Sequence, residues 1–73
     1  MAKKNSSAVY RVVDVIGTSP TSWEEAARNA VKTASKSLRE LRIAEVAKLD
    51  VKVDNGKVTA FRTRLSLSFK YDA

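Results

Sequence analysis

The sequence predicts an α+β domain of order β-α-β-β, a three-stranded antiparallel sheet packed on one amphipathic helix. Three observations lead there. A β-branched run holds Val9, Val12, Val13, Val15 and Ile16. An apolar stripe at three- and four-residue spacing runs from Trp23 to Leu41. Two alternating segments then flank Asn55-Gly56, the dipeptide that best suits a tight hairpin turn.

The β-branched run favours a strand over residues 8–16, and Gly17 is read as its end. Apolar side chains fall on both faces of this strand, which fits either a strand covered on two sides or an imperfect pattern. Ser19-Pro20 starts a helix near Pro20, because a serine oxygen caps free amides and proline tolerates the first helical position. Thr21-x-x-Glu24 and Ser22-x-x-Glu25 both fit the capping box. The stripe of Trp23, Ala26, Ala27, Ala30, Val31, Ala34, Leu38 and Leu41 predicts a helix of about five or six turns.

Leu41 to Val53 reads as the second strand, with Leu41, Ile43, Ala47, Leu49, Val51 and Val53 on one face, a face that Glu45 interrupts. Val58 to Tyr71 returns antiparallel, with Phe61, Leu65, Leu67, Phe69 and Tyr71 opposite Arg62, Arg64, Ser66, Ser68 and Lys70. A two-residue turn at Asn55-Gly56 would set Leu49 beside Arg62, mismatching the apolar faces. One irregularity between Val51 and Thr63 is therefore expected, bringing Ala47 and Glu45 beside Leu65 and Leu67. Such a sheet is about 14 Å wide and covers one helix, leaving its second face to solvent, a subunit or a ligand.

The chain has 73 residues, no Cys and no His. A domain this small buries only about 60% of its unfolded surface. With disulfides and the usual zinc ligands absent, self-association is the expected remedy, and an oxygen-only metal site stays open. Residues 1–7 are expected to be a disordered basic tail and 8–73 a single domain. No apolar run approaches the roughly 20 residues that span a bilayer, so no membrane-spanning role is expected. The lack of Cys and of an apolar export segment predicts a cytoplasmic protein. A formal charge of +6 favours anionic partners, whether a small anionic ligand bearing phosphate, nucleic acid or an acidic membrane surface. No His, Cys or phosphate loop supports catalysis, and Ser19, Thr21 and Ser22 are read as helix caps, so the chain is not expected to be an enzyme.

The stretch from Val9 to Ala26, a strand passing through Gly17-Thr18-Ser19 into a capped alanine-rich helix, together with the Asn55-Gly56 hairpin, resembles the dodecins from Tyr10 to Phe69. The resemblance implies a homo-oligomer, a dodecamer forming a hollow shell, that binds FMN or riboflavin. Flavin-binding dodecins carry a tryptophan early in the second strand and a glutamine within the third, and Ile43 and Arg62 stand there. Ile43 offers no aromatic plane, and Arg62 only donates hydrogen bonds, so it cannot accept from the ring N–H. The two losses cost about 2 to 6 kcal/mol, or about 30-fold to 10⁴-fold in affinity, leaving flavin binding weak or absent. The ligand-binding set carried over is Ile43, Arg62, Arg42, Arg64 and Glu45.

Two further ligand chemistries stay open. Arg42, Arg62 and Arg64 suit a phosphate-type anion, unless they pair with Glu45, Asp50 or Asp54 across subunit contacts. Some dodecins use a metal, and Asp50, Asp54 and Asn55 are candidate oxygen ligands for calcium, without a calcium-loop pattern. A nucleic-acid role, suggested by Phe61 and Phe69 among Arg62, Arg64 and Lys70, is disfavoured because both rings share a face with Leu65 and Leu67. Trp23, in the first helical turn, is assigned to packing rather than to a ligand.

Overall fold

A computed structural model of the chain describes residues 9–70. The expected tail and Tyr71 lie outside the described residues. The elements run β1 (Tyr10–Ser19), α1 (Trp23–Ala34), β2 (Leu41–Asp54) and β3 (Lys57–Lys70), in a three-stranded antiparallel sheet of order β1-β3-β2. The α+β, β-α-β-β class is the one the sequence predicts. Among the described residues no helix is long and apolar enough to cross a membrane.

β1 continues through Gly17 to Ser19 rather than stopping at the glycine. Gly17 serves a close approach instead: a Cβ there would lie 2.0 Å from the Ala26 carbonyl oxygen and 2.8 Å from the Ala30 Cβ. Glycine lets α1 press its alanine face onto the strand, and Ala26 and Ala30 are buried there.

The helix starts three residues later than Pro20. Of the two overlapping capping signals, the second is used, with the Ser22 hydroxyl accepting from the Glu25 amide at 3.0 Å. Glu25 does not reach back to Ser22. Its carboxylate accepts from the Ser19 hydroxyl at 2.6 Å and from the Thr21 hydroxyl. Ser19, itself buried, accepts in turn from the Thr21 and Ser22 amides. These hydroxyl bonds stabilise the carboxylate and hold the Glu25 pKa below its ordinary value.

The helix is 12 residues long, about half the predicted length. The Ser35 amide makes the last helical bond, to Val31, and Lys36 and Ser37 then end the helix in tighter i to i+3 bonds, to Thr33 and Ala34, since serine competes for backbone groups and favours helix ends. Leu38 and Leu41 still pack on the core, but from the turn and from β2. Glu40 adopts positive φ (56°) at the entry to β2.

The core joins Ala26, Ala30, Leu65, Leu67 and Phe69 between helix and sheet. At the N-terminal end of α1, buried Thr63 donates to the Trp23 carbonyl oxygen at 2.9 Å. The Trp23 indole N–H donates to the Asp50 carbonyl at 3.0 Å, and its ring meets Phe61 edge-on at 5.1 Å. Trp23 therefore packs on the helix side of the sheet.

The turn at Asn55-Gly56 has positive φ at both residues, 51° and 76°. β2 and β3 slip register at three places rather than the one expected. Thr59 is the extra residue of the slip inside the expected interval, between the pairs Lys52↔Ala60 and Val53↔Val58. It sets Leu49 opposite Thr63 and Val51 opposite Phe61 on the helix side. Arg42 and Ala47 are the extra residues of the other two.

The Ala47 bulge corrects the sequence-based pairing of Ala47 and Glu45 with Leu65 and Leu67. Val46 and Ala44 take those places, and Glu45 pairs with Ser66. An unbroken alternation would have put a carboxylate against the leucine core, and the bulge turns it to the opposite face at the cost of one unpaired residue. Ile43, expected among the apolar side chains of that core face, pairs with Ser68 on the outer side for the same reason.

Candidate functional site

The sheet face away from α1 is built in transverse rows by the strand registers. From the hairpin side, these rows are Thr18–Arg62–Asp50, Ile16–Arg64–Lys48, Asp14–Ser66–Glu45 and Val12–Ser68–Ile43, in the order β1, β3, β2. Alternation along each strand puts all of them on one face. Val12, Ile16 and Ile43 are among its exposed apolar side chains.

Ile43, Glu45, Arg62 and Arg64 thus share this face, as a common site would require. They do not all come together. Arg62 and Ser68, which sits beside Ile43, are six residues apart on β3, a separation of about 20 Å. Arg62 and Ile43 of one chain are therefore too far apart to touch each other. Arg42 is the extra residue of the bulge at the start of β2, and its guanidinium pairs with Glu40 at 2.6 Å.

Arg62 is the most constrained of the five. Its Nε donates to Asp50 Oδ1 at 2.8 Å and its Nη2 to Oδ2 at 3.1 Å, a two-pronged pair directly across the strands. The guanidinium draws the Asp50 carboxyl below its ordinary pKa, and Asp50 raises that of Arg62. The pairing with Asp50 read as a subunit contact is made within one chain. Lys48, Asp14 and Ser66 lie on this face outside the candidate set, although the alternation of β3 had already placed Ser66 there. The Ser66 hydroxyl donates to Asp14 Oδ1 at 2.8 Å, holding that carboxylate in the row. Lys48 lies opposite Arg64, an arrangement visible only once the register is known.

Cation coordination finds little support within a single chain. Among the described residues no three acidic side chains gather closely enough to hold a metal ion. Asp54, one of the oxygen ligands considered, instead accepts from the Thr59 hydroxyl at 3.0 Å beside the hairpin bulge.

On comparison with known proteins, the family model described as Dodecin matches residues 9–72. The chain is 52% identical over 64 residues to the calcium dodecin of Mycobacterium tuberculosis, covering 86% of this chain and 89% of that protein. The crystal structure of that calcium dodecin superposes with a TM-score of 0.78 at 49% identity, covering 88% of this chain and 91% of the other. The dodecin of Streptomyces coelicolor superposes with a TM-score of 0.86 at 38% identity, covering 93% of this chain and 97% of the other. With matching order of elements and matching sequence over nearly its whole length, the chain belongs to the dodecin family.

Proposed function

We propose that this protein is a closed homo-oligomer of twelve subunits that binds and holds a small ligand without transforming it, and that it binds flavin weakly or not at all. The observation that carries the reading is the outer sheet face. It combines exposed Val12, Ile16 and Ile43 with rows of charged groups, a surface suited to subunit contact and ligand capture rather than to free solvent. Ile43 supplies no ring to stack on isoalloxazine. Arg62 spends two of its donors on Asp50 and has no acceptor to offer.

Calcium is the second reading, supported by the 52% identity to a protein named calcium dodecin. One chain brings Asp14 and Glu45 to a single row with Ser66 between them, short of the six to eight oxygens calcium takes. Calcium therefore fits this chain only where copies meet. Native mass spectrometry of protein from cells, with an absorbance spectrum of the same sample, tests the reading. A colourless dodecamer supports it; a yellow dodecamer overturns the flavin argument, and a monomer overturns the assembly. Calorimetric titration of chelator-treated protein with calcium chloride separates the second reading from the first, since heat that saturates would assign calcium as the ligand.

A further inference from the structure

Helix α1 covers the sheet unevenly. It packs along β1 and β3 and barely meets β2, because Gly17 admits the Ala26 carbonyl and the Ala30 methyl close to β1 and draws the helix to that side. A groove of about 410 Å³ is left between α1 and β2, within the size range of small-molecule sites. Buried Leu65 forms its floor, Ala27 and Val31 its wall on the helix, and Ala44 and Val46 its wall on β2. Between these walls the lining is almost wholly apolar. Ala27 and Ala44 keep it open, since a larger side chain at either position would fill the space.

Two cations stand at the helix rim of the groove, Arg28 and Lys32, four residues and about 6 Å apart along α1. Neither takes part in an ion pair among the described residues. Arg28 acts at longer range on Glu25, whose carboxylate is already held by the Ser19 and Thr21 hydroxyls. We infer that the groove binds the anion of a free fatty acid, its alkyl chain laid along Leu65 and Val46 and its carboxylate between Arg28 and Lys32. An apolar floor with positive charge on one rim matches a ligand that is apolar over its length and singly negative at one end. A neutral apolar molecule would leave both cations unanswered, and a compact anion such as phosphate would leave the apolar floor uncovered. A second copy of the chain complements the groove less well, because Asp14, Glu25, Glu40, Asp50 and Asp54 are each held by a side chain of their own chain. The groove lies on the opposite side of the sheet from Ile43, Arg62 and Arg64, so it stands whether or not the outer face holds a ligand.

Isothermal titration of the wild-type protein with decanoate in calcium-free buffer tests this. Saturable binding of one decanoate per chain is expected, about twofold to fourfold tighter for each methylene added between octanoate and dodecanoate. Decyltrimethylammonium, which carries the same chain on a cation, should show no saturable binding. R28Q/K32Q should weaken decanoate binding about 2-fold to 30-fold, and A44F, which fills the groove from an exposed strand position, should abolish it. Both variants should keep the wild-type circular dichroism. Native mass spectrometry before and after titration should give the same number of chains. Absence of saturable binding, equal affinity for the cation, or an R28Q/K32Q variant that binds as wild type overturns the site. A loss of chains on saturation overturns it too, by showing that a second copy covers the groove. Preference for phospholipid vesicles over monomeric decanoate also overturns it and assigns the groove to a membrane surface.

Discussion

Gly17 shows how much one residue decides. Its missing side chain lets the Ala26 carbonyl and the Ala30 methyl close on β1, and backbone cannot withdraw as a flexible side chain can. Gly17→Ala is expected to cost about 1–3 kcal/mol or more through overpacking, read as a lower urea midpoint. Glu25 and Asp50 set the acid limb of stability. Both carboxyls titrate below their ordinary values of 4.5 and 3.8, Glu25 chiefly through the Ser19 hydroxyl and Asp50 through Arg62. A lowered folded pKa means that the unfolded chain takes up the proton first. Their contribution is therefore complete above those ordinary values and is lost as pH falls through the lowered ones. Thermal midpoints should therefore fall as pH is lowered below those ordinary values. The drop should be smaller in Ser19→Ala, where Glu25 loses its principal hydroxyl partner.

At the level of elements, the helix is short and its capping matters accordingly. Twelve residues make a marginal helix in isolation, so α1 depends on its cap and on the alanine face docked at Gly17. Ser22→Ala is expected to lower stability by about 1 kcal/mol, measured by denaturant unfolding. The strands were legible in outline because period-two alternation is strong in β3 and the Asn55-Gly56 turn needs positive φ. The helix end was not, because Leu38 and Leu41 extend the apolar stripe past Ala34 and satisfy the core from a turn and a strand. The bulges at Arg42 and Ala47 were not legible either. A bulge is chosen by what stands across the sheet, here by keeping Glu45 away from Leu67, and that comparison exists only between paired strands.

Over the whole molecule, the dimensions expose the weakness of a single chain. The chain measures 58 × 20 × 16 Å, and a 12-residue helix covers about 18 Å of strands about 48 Å long. Val46 and Leu49 stay about half exposed on the helix side, and Ile43 is 61% exposed on the other. On the proposed assembly, the thermal midpoint should rise with protein concentration wherever dissociation accompanies unfolding. Ile43→Trp with Arg62→Gln is expected to raise FMN affinity about 30-fold or more, followed by quenching of flavin fluorescence. An unchanged affinity would show that these two positions do not face the flavin.

The sequence alone determined the order of elements, the polarity of β3, the hairpin turn and the family resemblance. These depend on local periodicity, on turn residues that tolerate positive φ, and on motifs that lie close together in the chain. Only the tertiary structure decided which residues share the outer face, that Arg42 pairs with Glu40, and that Arg62 is held by Asp50. It also showed that Arg62 and Ile43 cannot meet within one chain. Each of these follows from strand register, and register is settled by packing between segments far apart in sequence, which no local pattern encodes.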